Sequence, residues 1–115
     1  MTQTTTRAHY KPLLCSKVGQ YPRRGLDCTL TLEDVKSQWA TQEGRCWYSG
    51  VEMTTDVGFP TKVTLDRLDS SKGYTAENVV LCTITTNLMK KDMSVEIFRD
   101  WIRRIHTTFA QKESL

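Results

Sequence analysis

The stretch Thr64 to Lys90, TLDRLDSSKGYTAENVVLCTITTNLMK, holds the residues whose types and order can do chemistry. Asp66 ends an apolar run, where its carboxylate can reach outward to a hard cation. Asn87 offers a neutral amide oxygen, and Asn78 can orient a base or pin the Lys72-Gly73-Tyr74 turn. Hydrolysis of a phosphodiester needs a divalent cation that neutralises the non-bridging oxygen and the leaving 3′-oxygen. A site built from Asp66 and Asn87 leaves several coordination positions for water and phosphate, which suits Mg²⁺, with Mn²⁺ as the alternative. Taken singly, an Asp or Asn at the end of an element is more often a cap or turn residue. The order and spacing carry the argument. Arg67 does not fit the simplest version of such a site, because a guanidinium cannot take a proton at neutral pH. Its expected roles are to bind the scissile phosphate or to stabilise charge as it builds.

The elements that must position these residues are unevenly marked. Thr31 can cap a helix over Leu32–Glu43, with Glu33 and Asp34 in the first turn and Gly44 at the end. Leu32, Val35 and Trp39 form its apolar stripe. Cys46-Trp-Tyr-Ser-Gly-Val reads as a short strand entering a turn at Ser49-Gly50, and residues 54–60 as loop. Lys62 to Leu65 alternates polar and apolar and reads as a second strand. Asp69-Ser-Ser-Lys-Gly-Tyr is a turn, with Asp69 as its side-chain cap, a second metal carboxylate or a partner of Arg67. By composition Asn78–Lys90 is strand or helix, since Thr83, Thr85 and Thr86 lower helix propensity. Ser94 can cap a last helix in which Val95, Phe98, Trp101, Ile102, Ile105 and Phe109 share one face, expected to pack on the core. Arg99, Arg103 and Arg104 lie on its remaining surface.

A chain of 115 residues is the size of one domain with a modest core. It lacks an apolar run near the ~20 residues that span a membrane, and Met1–Pro12 lacks a signal-peptide core, so an intracellular, cytoplasmic protein is expected. The net charge of +3 is mild, but Met1 to Cys28 carries Arg7, Lys11, Lys17, Arg23 and Arg24 against Asp27 alone. Such an arm, helical over Tyr10–Val18, suits a polyanion such as DNA, or serves as a solvated tail. Cys15, Cys28, Cys46 and Cys82 form no CxxC pair, so zinc is not visible from spacing and each is expected as a free thiol.

Taken together, the order resembles the HNH endonuclease family. Members carry an apolar strand ending in Asp-His, a Gly-containing turn, an Asn that opens a helix, and a later Asn or His followed by a Lys. Leu65-Asp66-Arg67, Lys72-Gly73-Tyr74, Asn78, Asn87 and Lys90 match in that order. Gly44-Arg-Cys-Trp-Tyr-Ser-Gly50 resembles the hairpin that precedes the motif in many members, and Leu30–Trp39 the helix before it. The variant wording, Asp-Arg in place of Asp-His, is similar to small phage-type members. The resemblance covers Leu30–Lys91. It implies an α+β fold, a small mainly helical domain around a ββα-metal motif in which a two-stranded antiparallel hairpin and one helix grip a single metal. It implies helix for Val79–Lys90 and work on double-stranded DNA in the minor groove. The chain then divides into a basic arm (1–29), a nuclease core (30–93) and a C-terminal amphipathic helix (94–115).

There are two departures from the family pattern. Many members hold a structural zinc with two CxxC pairs; here Cys46 remains, with Ser49, Thr83 and Thr86 at the other positions, so no structural zinc is expected. The family's histidine base is replaced by Arg67, which leaves the base open among Tyr48, Tyr74, His9, His106 and a metal-bound water. Tyr48, expected on the paired hairpin strand, is the first choice, with core packing as the competing role. The expected site is therefore Asp66 and Asn87 on the metal, with Arg67, Asn78 and Tyr48 beside them. Arg23, Arg24, Lys90 and Lys91 are expected on the DNA backbone. The expected activity is nicking or double-strand cleavage of DNA by a monomer or homodimer, with a homing enzyme or a phage-encoded one acting in the host cytoplasm among the options; the alternative is an inactive DNA-binding module.

Overall fold

The computed structural model describes residues 28–113. The expected helix Tyr10–Val18, together with His9, Arg23 and Arg24, lies outside the described residues.

Helix α1, Leu32–Gln42, forms as its sequence requires. Thr31 Oγ1 accepts the Asp34 N–H at 3.1 Å, and Asp34 Oδ2 accepts the Thr31 N–H at 2.9 Å, a reciprocal capping box. The helix ends through two left-handed residues, Glu43 (φ 55°) and Gly44 (φ 70°). A Cβ on Gly44 would stand 3.0 Å from the Trp39 ring, so glycine is needed here for space as well as for φ. Val35 is the residue of α1 that becomes fully buried.

Strands β1 (Val63–Arg67) and β2 (Val79–Thr83) pair antiparallel, with Leu65 opposite Leu81 and Asp66 opposite Val80. Helix α2, Ile84–Lys90, follows β2 without a linker. Among the described residues the fold is thus a small α+β unit, a two-stranded antiparallel sheet with three helices. Two expectations change. Val79–Thr83 is strand, because its β-branched and aliphatic side chains fill a pleated, fully buried position. Helix begins only where Thr83 caps it, its Oγ1 accepting the Thr86 N–H at 3.2 Å. The threonine that weakens a helix interior here starts one.

Second, β1 pairs with β2 and not with residues 46–51. The Cys46 thiol draws the chain into a tight curl by accepting N–H groups of Ser49 and Thr83, each at 3.4 Å. The curl lies along the outer edge of β2, where Trp47 N–H bonds Leu81 O at 3.0 Å. Gln42 bonds both Leu81 N–H and Leu81 O, so that edge is satisfied by side chain and loop together.

Val35, Cys46, Met53, Val63, Leu65, Tyr74, Val79, Leu81 and Cys82 form the core. Each large aliphatic buried there contributes about 1.5–3 kcal/mol. Helix α3, Val95–Glu113, reaches this core through Phe98, whose ring meets Tyr48 edge-on at 5.5 Å. Its further apolar residues were expected on the core but are exposed: Trp101 is 53% and Phe109 59% accessible. The reason is length, since 19 residues extend ~28 Å and the core formed by the described residues meets only the first turns. No helix among the described residues is long and apolar enough to cross a membrane.

Candidate active site

Alternation along β1 puts Thr64 and Asp66 on one face, with Cys82 and Val80 opposite them on β2. Helix α2 lies over that face. Asn87 and Lys90, three residues apart, share one side of the helix and meet the two β1 side chains in order. Asn87 Nδ2 donates to Thr64 Oγ1 at 3.0 Å and to Leu65 O at 3.1 Å. Lys90 Nζ stands 3.1 Å from Asp66 Oδ2 and donates to Arg67 O at 3.2 Å.

Asp66 is 7% exposed. Its Oδ2 takes both the Lys90 ammonium and the Tyr48 hydroxyl, while Oδ1 accepts no hydrogen bond among the described residues. The Asn87 amide is fixed through its nitrogen, and its Oδ1 likewise accepts none there. Two hard oxygens, one of them buried and orphaned, are the donors a hard divalent cation uses. Among the described residues no three His, Cys, Asp or Glu side chains gather as a metal site, so such a cation would depend on water and phosphate for its other positions.

Tyr48 does not fit the role of base. Burial pushes its hydroxyl well above the usual phenol range, and the hydrogen bond to Asp66 and that carboxylate's charge push it the same way. It stays protonated and donates. It also lies in the curl and not on the strand paired with β1.

Arg67 is likewise committed inward. Its Nη1 donates to Ser70 O at 2.9 Å and Lys72 O at 3.1 Å, and the guanidinium lies 4.9 Å from the Tyr74 ring centroid. At 7% exposure it ties down the loop after β1, in place of the expected phosphate contact. Tyr74, the other tyrosine considered as base, is in the core.

Asn78 pins the same loop from the other end, as expected, though it does not open a helix. Its Oδ1 accepts Asp69 N–H at 3.0 Å, and Nδ2 donates to Asp69 O at 3.0 Å and Gly73 O at 2.9 Å. Asp69 is the turn cap, accepting from Ser71 N–H at 3.0 Å and Ser71 Oγ at 2.6 Å, and these bonds hold its carboxyl below the usual range. Of the expected DNA contacts, Lys91 is exposed at the end of α2. Lys90 is not a surface residue at all: it is 0% exposed, because Asp66 inside the fold offers it a carboxylate. His106 lies on the exposed length of α3.

The four positions named by the zinc pattern come together. Cys46 Sγ lies 3.4 Å from Thr86 Oγ1 and 3.9 Å from Thr83 Oγ1, the two hydroxyls are 3.0 Å apart, and Ser49 N–H points at the sulfur from 3.4 Å. Burial raises the Cys46 thiol, but hydrogen bonds from Ser49, Thr86 and Thr83 more than offset it and bring its pKa to about 7.

The roles of Thr64 and Lys90 were missed from sequence. The signal was present: i, i+2 on a strand facing i, i+3 on a helix pairs Thr64 with Asn87 and Asp66 with Lys90. Compared with family models, curated proteins and solved structures, the chain matches none of them at a significant level.

Proposed function

We propose that this chain is a metal-dependent DNA endonuclease of the HNH-like ββα type. The observation that carries the proposal is a pair of oxygens that accept no hydrogen bond among the described residues, Asp66 Oδ1 and Asn87 Oδ1, on side chains that β1 and α2 hold over one strand face. The convergence of Cys46, Ser49, Thr83 and Thr86 adds support, since these are the positions at which the family pattern sets its zinc ligands. A divalent cation held by Asp66 and Asn87 supplies charge neutralisation at the scissile phosphate and the leaving oxygen. Thr64 and Leu65 O orient the Asn87 amide, Tyr48 and Lys90 orient Asp66, and Arg67 and Asn78 hold the loop that follows. Lys91 and the basic residues of the first 28 positions are the proposed backbone contacts. A single site favours nicking, so cutting both strands takes a second copy or a second binding event. The proposed compartment is the cytoplasm, of the host if the gene is carried by a phage.

Plasmid relaxation with Mg²⁺ or Mn²⁺ tests the proposal. Supercoiled plasmid is converted to nicked circles, and Asp66→Ala and Asn87→Ala each abolish conversion. Plasmid left intact across metals and sequences rejects it. A second reading has its own observation: Lys90 neutralising Asp66 and Arg67 standing at the base position describe a DNA-binding module without chemistry. That reading expects salt-sensitive DNA binding with no cleavage.

A further inference from the structure

Lys90 is the most deeply buried charged side chain among the described residues, and its depth has no explanation as a DNA contact. A buried ammonium survives only beside a compensating charge. Here Asp66 Oδ2 at 3.1 Å provides it, and Arg67 O at 3.2 Å takes a second ammonium proton. The placement also suits the last turn of α2, whose carbonyl end favours a cation. Tyr48 donates to the same Oδ2 from the curl, so that oxygen is filled from two elements, while Oδ1 has no partner among the described residues. Asp66 Oδ2 therefore joins α2, β1 and the curl, with the Lys90 ammonium as its charged partner.

We propose that Lys90 is the resident cation of Asp66. It lets the hairpin and α2 assemble without metal, and it keeps affinity for a free divalent ion low, so that the ion enters together with a DNA phosphate. The physical reason is charge. A divalent ion approaching Oδ1 meets a carboxylate already neutralised and an ammonium that repels it. A phosphate arriving with the ion supplies the negative charge that balances both. Lys90 is on this account a positioning residue, and the inference rests on the reading of Asp66 as the metal ligand.

The test is Mn²⁺ uptake by the full chain without DNA, followed by the electron paramagnetic resonance signal of free Mn²⁺, alongside thermal melts with Mn²⁺ or EDTA. The wild type is expected to leave sub-millimolar Mn²⁺ free and to melt at the same temperature in both. Lys90→Met keeps the side-chain length, removes the charge, and is expected to bind Mn²⁺ at least on the order of tenfold more tightly, with a melting temperature that rises with Mn²⁺. Asp66→Asn combined with Lys90→Met is expected to fold and show no response. A Lys90→Met protein that folds only with Mn²⁺ also supports the inference. Lys90→Met that gains no affinity, or stays unfolded with Mn²⁺ while the double variant folds, overturns it. So does a wild type that binds one Mn²⁺ per chain at micromolar concentration. The nuclease reading fails separately: a wild type that never nicks plasmid while Lys90→Met gains Mn²⁺ sinks that reading and leaves the role of Lys90 intact.

Discussion

Replacing Arg67 by Ala separates two roles that its position allows. The structure commits Nη1 to two backbone carbonyls, Ser70 O and Lys72 O, and lays the guanidinium over Tyr74. A hydrogen bond to a charged group contributes about 1.5–3 kcal/mol, and a desolvated cation–π contact about 2 kcal/mol. The sum overstates the loss, because Lys72 is exposed and Ser70 half-buried, so water re-satisfies both carbonyls. We expect Arg67→Ala to cost about 2–4 kcal/mol. That is a large share of the about 4–13 kcal/mol expected for a folded region of this size. Arg67→Lys retains the charge but lacks the planar guanidinium that lies over the Tyr74 ring, and is expected to recover only part of the loss. Urea denaturation followed by tryptophan fluorescence measures this, with an unchanged slope required for the comparison. Plasmid nicking per folded molecule, assayed well below the melting temperature, should fall less than about tenfold, a barrier change under ~1.4 kcal/mol. The opposite pattern refutes the reasoning. Stability within about 0.5 kcal/mol of wild type, with nicking or DNA affinity down a hundredfold, makes Arg67 a phosphate contact, as its place beside Asp66 first suggests.

Two further predictions concern Cys46. Ser49→Cys, Thr83→Cys and Thr86→Cys together should create a four-thiolate site, because tetrahedral zinc with Zn–S of ~2.3 Å sets its sulfurs ~3.8 Å apart. Cys46 Sγ already lies 3.4 and 3.9 Å from the Thr86 and Thr83 hydroxyls. Stoichiometric Co²⁺ uptake with thiolate charge-transfer absorption and a raised melting temperature is expected, and no metal uptake by the folded triple variant contradicts the geometry. In the wild type, the Cys46 pKa near 7 lies below the ordinary thiol value of 9.0. A depressed acid stabilises the fold where it is ionised, so stability should rise between pH 7 and 9 and be lost again as pH falls through 7. Cys46→Ser should remove that rise in urea melts taken across the range; a rise that persists assigns it to another group.

What could be read from the residues, and what could not, divides by range. The capping box of Thr31 and Asp34 and the turn cap of Asp69 are legible because each side chain acts on backbone within three residues. Asn78 is nearly so, since its partners Asp69 and Gly73 lie in the loop it closes. The start of α2 at Thr83 was half-legible: the threonines argued against helix, and one of them is the cap. Tyr48, Arg67 and Lys90 were misplaced for one shared reason. Each is a polar side chain whose fate depends on which group it meets inside the fold, and two of those meetings span 18 and 23 residues. Propensity says nothing about such pairs. A face argument does. Once β1 is paired with β2, Asp66 must point to the side that α2 covers, and a helix carrying Asn87 there must carry Lys90 as well. The buried carboxylate then needs a cation, and the chain provides one three residues beyond the proposed ligand. Lys90 and Tyr48 fill Asp66 Oδ2, which leaves Oδ1 as the carboxylate oxygen without a partner among the described residues. Any divalent ion at this site must therefore be held as much by its phosphate as by the protein.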